Sequence, residues 1–365
     1  MAGAFLIPQV AFAAPTGETI VSGGATVTRS GNDTNINSSN VNNVIKWSDY
    51  SIVHGERVVH DGGAKTNNYL NIVTGANTSN IDGKIEGGKN VYIVNPNGVI
   101  FGKNAEVNVG HLHVSTQDTS TVNTAADMAN NVSPLSASAA GLSDVVNMGK
   151  DITANTVEVH GKNIRFLNAA NVHTTASPVV LHTDTANGGY AHIGYKSGNV
   201  PAVTAYQVNG ANATAADNYY QLVADKTEFQ NIKNGLTKNY MLENDIDFLG
   251  TALTPIGDDT TKFTGKLDGN FFHVKNFNVS GVSRAGLFGT TSGARLENFG
   301  VVGAHITGMT GSSDYAGGIA AYTTGGTQIR NVYVKETTVD GRTAKHGGIV
   351  GVTDNTTLDG VYSKA

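Results

Sequence analysis

The brevity of the strands this chain can make narrows its fold more than any other feature. Apolar, β-branched runs of about three to five residues recur along most of its length. Examples are Val91-Tyr92-Ile93-Val94, Val99-Ile100-Phe101, Val107-Asn108-Val109, Leu112-His113-Val114 and Val157-Glu158-Val159. Gly, Asn and Asp separate such runs every five to ten residues or so. Strands this short do not build a large open sheet; they close a barrel or stack coil on coil. A barrel needs fewer and longer strands. Stacked coils need short ones, with Gly or Asn at corners where φ is positive. The expectation is an all-β fold, a right-handed parallel β-helix with small antiparallel extensions and one short helix.

Composition removes several function classes. The 365 residues include no Cys, which excludes a disulfide scaffold, a thiolate zinc site, an iron–sulfur cluster and a thiol nucleophile. Charged residues are 15% of the chain, and the net charge is −5. That balance argues against nucleic acid or an anionic membrane as the main partner. The hydrophobic fraction of 39% is enough for a core, so wholesale disorder is not expected.

Three local patterns stand out. Asn95-Pro96-Asn97-Gly98 matches the positional preferences of a type I turn and has apolar strands on both sides. Taken alone, it reads as a well-made corner. Asp225-Lys226-Thr227-Glu228 has capping-box spacing and is followed by Phe229, Ile232 and Leu236, which predicts one short helix at about 225–234. Ala129 to Ser143 is rich in Ser, Ala and Asn and is expected to be a loop outside the coils.

The last hundred or so residues repeat with a period of roughly 30. Gly286-Leu287-Phe288-Gly289, Gly318-Ile319-Ala320-Ala321 and Gly348-Ile349-Val350-Gly351 form one series. Leu296-Glu297-Asn298-Phe299, Ile329-Arg330-Asn331-Val332 and Leu358-Asp359-Gly360-Val361 form a second, offset from the first. Such a period means one supersecondary unit stacked on itself, with paired Gly letting corners pack closely. The sequence stops within a third copy without an evident polar cap, so it is expected to be the front part of something longer.

Candidate chemistry is sparse, and no catalytic residues are assigned. Asp245 and Asp247 would share one face of a strand, and Asp258 and Asp259 are adjacent, but no His or Arg motif accompanies either pair. Asp-Asp before Thr-Thr is ordinary turn chemistry. His111 and His113 also share a strand face, where two imidazoles could hold a metal. No third ligand lies nearby in sequence, so outward-facing, solvated histidines are expected, with no metal and no cofactor.

Phe5 to Val10 is apolar, and Ala11-Phe12-Ala13 gives the small-x-small pattern that a signal peptidase prefers, so 1–14 is expected to be the remnant of a signal peptide.

The residues also carry a resemblance. Thr16 to about Asp118 resembles the N-terminal secretion domain of filamentous-haemagglutinin-like exoproteins, the exported members of two-partner secretion systems. The matching stretches are Ile45 to Ile52, Leu70 to Gly75, Ser79 to Ile85, and Val91 through Gly102 into Ala105 to Gly110. Ile72 and His60-Asp61-Gly62 depart from the family pattern. From about Tyr219 the chain is similar to the GLUG-type repeats of bacterial surface proteins, through Tyr240 to Phe248, Phe263 to Asn270 and the Gly-Leu-Phe-Gly series.

The resemblance implies a secretion domain over 15–218, with its core at about 16–118, and a repeat region over 219–365. It implies export through the periplasm by a partner outer-membrane transporter with periplasmic recognition domains. The transporter would read Asn95, Pro96, Asn97 and Gly98, together with Asn71 and Gly75. A secreted monomeric adhesin with an unidentified surface ligand is the leading expectation. The stalk of a toxin or contact-inhibition protein comes second, and a β-helix polysaccharide enzyme third.

Overall fold

The computed structural model describes residues 15–176, 178–202, 204–307, 311–340 and 345–364. The signal-peptide expectation for 1–14 lies outside them. The fold is nearly all-β, with mostly parallel sheets and one short α-helix. The described residues form two compact units, those within 15–193 with 201–214, and those within 194–200 with 215–364.

In the first unit, successive short strands rotate among three parallel sheets. Sheet I takes Asn42–Trp47, Asn68–Val73, Asn90–Val94, His111–Ser115, Thr156–Gly161 and Val179–Thr183. Sheet II takes Ser79–Ile81, Val99–Phe101, Val145–Asn147 and Ile164–Phe166. Sheet III takes Asp33–Asn37, Arg57–His60, Lys84–Glu86, Glu106–Asn108, Asp151–Ala154 and Val172–Thr174. From Asn68 onward each circuit lays one rung on each sheet, a pattern consistent with a β-helix-like fold. Corners turn where the sequence supplies Gly. Gly87 has φ +74°, and a Cβ there would meet the His60 carbonyl at 2.0 Å.

Open parallel edges invite unwanted pairing, and antiparallel strands cover several of them. Thr19–Ser22 pairs with Asn42–Trp47, Thr26–Ser30 with Asp33–Asn37, and Ala211–Asn212 with Tyr206–Val208. These are the expected small antiparallel extensions.

The Ser/Ala/Asn-rich segment is a loop outside the coils, as expected; the excursion begins earlier than Ala129, and a few of its apolar side chains are buried. It leaves sheet I after Ser115 and returns through Leu142, whose N–H donates to the Thr116 carbonyl at 3.0 Å. Val122, Met128 and Leu135 pack against Val44, Leu70, Ile72, Tyr92 and Val94. Residues two apart on a strand share a face, so the segment covers the outward side of sheet I. Asn68–Val73 and Asn90–Val94 are therefore buried at every position.

In the second unit, the helix runs Lys226–Asn231 and continues as a 3-10 turn, Ile232–Asn234. Asp225 caps it, its Oδ1 accepting from the N–H groups of Thr227 (2.7 Å) and Glu228 (2.9 Å). The repeats stack in register. Phe288 sits beside Ala320 and Ala320 beside Val350, while Leu296 aligns with Ile329 and Ile329 with Leu358. Asn298, Asn331 and Gly360 fall at one bend with φ of 60°, 50° and 61°. Left-handed backbone tolerates Asn and Gly best, which explains the residue types at that repeat position. Among the described residues, no helix is long and apolar enough to cross a membrane.

Candidate functional site

The corner between sheets I and II is Asn95-Pro96-Asn97-Gly98. Pro96 pre-sets the second turn position, and Asn97 is absent from the positive-φ residues, as a type I turn requires. The Gly98 N–H donates to the Asn95 carbonyl at 3.0 Å. Gly98 itself has φ +109°, with the Asp144 carbonyl 3.2 Å from where a Cβ would lie.

The two asparagines have opposite surroundings. Asn95 is fully buried; its Nδ2 donates to the Asn77 carbonyl and to Ser79 Oγ, both at 2.9 Å. Its Oδ1 accepts from the Asn97 N–H at 2.9 Å and from Asn97 Nδ2 at 3.2 Å. Asn97 is exposed, and its Nδ2 also donates to the Gly75 carbonyl at 2.9 Å. Pro96 is half-buried, and its carbonyl accepts from Ser143 Oγ at 2.6 Å.

Of the other two positions, Asn71 is fully buried. It accepts from Trp47 Nε1 at 2.9 Å and donates to the Tyr92 carbonyl at 3.2 Å. Gly75 lies where a Cβ would meet the Ser48 carbonyl at 2.0 Å. Asn97 thus touches both Gly75 and Asn95, while Asn71 belongs to the packing between rungs. Only Asn97 and part of Pro96 offer side-chain surface to a partner of the folded domain.

The carboxylate pairs are held by structural bonds. Asp245 takes His273 Nδ1 at 2.9 Å and Lys275 Nζ at 3.0 Å. Asp258 accepts from the N–H groups of Thr260 and Thr261, which hold its carboxyl below the ordinary range. Asp259 pairs with Arg284 at 2.7 Å. On sheet III, Arg57, Lys84 and Lys150 interleave with Asp33, Glu86 and Glu106 beside a groove of about 350 Å³. Lys150 and then Lys84 pull the Glu106 carboxyl down to about 2. Exposed pairs of this kind are screened and contribute little each.

The histidine expectation needs correction. His111 and His113 face outward but are half-buried, and they do not share a ligand position. His111 Nδ1 lies 2.8 Å from Thr156 Oγ1, whereas His113 Nδ1 lies 3.1 Å from Glu158 Oε2. Glu158 also meets His160 and His182, at 2.9 and 3.4 Å from its Oε1. Hydrogen bonds from His113, then His160 and His182, hold the Glu158 carboxyl well below the usual carboxylate range. His160 shares the strand of Glu158, two positions on, but His113 and His182 come from the neighbouring strands on either side, which local spacing could not reveal. Matching rungs once the covering segment is set aside brings His113 opposite Glu158 and His160 opposite His182.

The corner lies within the part of the chain that a known family matches. The sequence profile of the TPS secretion domain matches residues 11–250. The heme/hemopexin-binding protein of Haemophilus influenzae is 36% identical over 104 residues, which is 28% of this chain and 12% of that protein. Halomucin of Haloquadratum walsbyi is 30% identical over 199 residues, 50% of this chain and 2% of that protein. The chain therefore spans a small part of the length of these relatives. The crystal structure of the HMW1 secretion domain from Haemophilus influenzae aligns over 96% of this chain and 100% of that one, at 16% identity and a TM-score of 0.35.

Proposed function

The chain belongs to the TPS secretion domain family, and on that premise we propose that it is a secreted exoprotein handed outward by a partner outer-membrane transporter. The observation that carries this reading is the family match over residues 11–250, which contains the Asn95–Gly98 corner and both strands flanking it. The proposed form is a right-handed parallel β-helix. Its secretion domain spans 15–218, and GLUG-type repeats follow over 219–365. In the periplasm, strand-rich segments of the unfolded chain add to the partner's sheet edges through backbone hydrogen bonds, and side-chain pockets supply selectivity. Outside the cell each new rung buries apolar surface at about 25 cal/mol per Å². It also templates the next rung, so folding biases passage outward. Asn95, Pro96, Asn97 and Gly98, together with Asn71 and Gly75, are the proposed recognition residues, and all six are open to the partner while the chain is unfolded.

Once outside, the chain acts as an adhesin at the cell surface, without catalysis. The in-register repeats support a presenting scaffold, because each one buries its apolar positions on its neighbours.

The test is co-expression with the cognate outer-membrane transporter in a Gram-negative host, with release into the medium as the readout. Deleting 16–118 is expected to trap the chain in the periplasm, while deleting 262–364 leaves release intact. Release without 16–118 would overturn the export reading. A released chain that binds no bacterial or host cell would overturn the adhesin reading alone.

A further inference from the structure

On the outward face of sheet I, beyond the stretch covered by Val122, Met128 and Leu135, the side chains change from aliphatic to imidazole and carboxylate. In one column of rungs, Tyr92 is followed by His113 and Glu158; in the next, Val94 is followed by Ser115, His160 and His182. Adjacent rungs lie about 4.8 Å apart, and residues two apart on one strand share a face. The sheet itself therefore fixes how closely these groups approach.

We propose that Glu158, His160 and His182 form a binding site for a divalent transition-metal ion of the zinc type, with His113 orienting the carboxylate. The ligand atoms of the three residues all lie within 4.8 Å of one another. Two of the separations are already close to what an ion requires. His160 Nε2 is 2.9 Å and His182 Nε2 is 3.4 Å from Glu158 Oε1. Bonds of about 2.0–2.1 Å in a tetrahedron put neighbouring ligand atoms about 3.3 Å apart.

The surroundings fit the chemistry. The His160 and His182 rings stack with centroids 4.2 Å apart, which limits their rotation. His113 stacks on Tyr92 at 4.3 Å and holds the second carboxylate oxygen, Oε2, at 3.1 Å. That is the arrangement of a group that orients a ligand from behind. Two imidazole nitrogens with one carboxylate oxygen favour zinc, copper or nickel over the calcium and magnesium that all-oxygen sites take. A cavity of about 240 Å³ opens beside His160 and His182, bounded by Ala137 to Gly141 and by Asp184 and Asn209. It gives a fourth position access to water or to a donor atom of a bound molecule.

The test uses the full chain, stripped with a chelator and titrated with Zn²⁺ by calorimetry and with Co²⁺ by visible absorption. One ion per chain is expected, with Co²⁺ giving the intense bands of low coordination number, and Mg²⁺ not competing. His160→Gln with His182→Gln should weaken Zn²⁺ binding by about 100-fold, and His113→Gln by about tenfold. His54→Gln, exposed and outside the cluster, should leave binding unchanged. Should the double variant lose its β circular dichroism, His182→Gln alone serves, since that residue is only half-buried. The proposal is overturned if the wild type takes up no stoichiometric Zn²⁺, if the folded variants keep wild-type affinity, or if Mg²⁺ competes equally.

Discussion

Buried asparagines bond from rung to rung in the first unit, where the second stacks phenylalanines edge to face. Asn68 Nδ2 donates to Asn42 Oδ1 at 2.8 Å, Asn90 Nδ2 to Asn68 Oδ1 at 2.7 Å, and Asn71 bridges Trp47 and the Tyr92 carbonyl. In the second unit, Phe229 meets Phe248 at 6.1 Å and Phe248 meets Phe277 at 6.0 Å, both rings edge-on, while Phe263 lies 5.0 Å from Phe288. The two interiors carry different information. An amide column contributes modest net stability but tolerates a single register, because a slip leaves buried donors and acceptors unmatched. An aromatic column contributes more through burial and discriminates less between registers. Both cores are mainly apolar, and the second unit has a shorter polar column of its own through Asp268, Asn298 and Asn331; the contrast is that amide matching adds more register information in the first unit and aromatic burial more stability in the second.

The largest expected effect lies in the repeat unit. Phe288→Ala removes a fully buried ring and should cost about 3–5 kcal/mol, read from urea denaturation. In the first unit, Asn71→Ala should cost about 2 kcal/mol by stranding Trp47 Nε1. If the asparagine change proves the more damaging of the two, the contrast between the units is wrong.

Between these comes a pH effect in the first unit. Burial pushes the His60 imidazole down from 6.5 to about 4, against the smaller opposing pull of its bond to the Glu86 carbonyl. Below pH 6.5 the unfolded chain takes up a proton that the folded chain refuses until about pH 4. Stability is therefore whole above pH 6.5 and is lost as pH falls towards 4, by about 3 kcal/mol at most. Denaturation midpoints across that range should show the loss, and His60→Gln should flatten it.

The smallest effect tests the repeat bend. Asn331 is exposed at φ 50°, and its Nδ2 donates to Asn298 Oδ1 at 3.2 Å, so Asn331→Gly should cost about 1 kcal/mol for the lost bond, whereas Asn331→Val should cost roughly 1–2 kcal/mol more for the backbone angle. Equal effects from the two substitutions would mean that the repeat position is not chosen for its backbone angle.

Much of the local structure was legible because strand length and corner chemistry are written in neighbouring residues. Val99–Phe101 is a strand with the expected limits, and the Val91, Leu112 and Val157 runs extend by one or two residues at their ends. The helix follows from its capping residues, although Glu228 reaches back to the Ala224 N–H at 2.7 Å rather than to that of the cap residue itself. What depends on distant parts of the chain was not legible. Ile72 breaks the family pattern, and its setting became clear only with Met128 and Leu135 beside it, more than fifty positions away. The burial of both faces of Asn68–Val73 and Asn90–Val94 likewise depends on the covering segment, which no neighbouring residue announces. At the candidate corner, the four-residue motif and the family resemblance together picked out six residues but could not separate those that shape the turn from those that face solvent. Burial separates Asn95 from Asn97, and nothing in the tetrapeptide itself encodes that difference.

The most direct test of the account is release of the Asn97→Ala chain by its cognate outer-membrane transporter, measured beside the stability of the same purified chain. Asn97 is exposed, and its loss removes only hydrogen bonds at the rim of the turn, so the folded domain should keep its urea midpoint. The account predicts that release nevertheless falls severalfold. Wild-type release at unchanged stability would contradict it, and would leave the Asn95–Gly98 corner as a fold element alone.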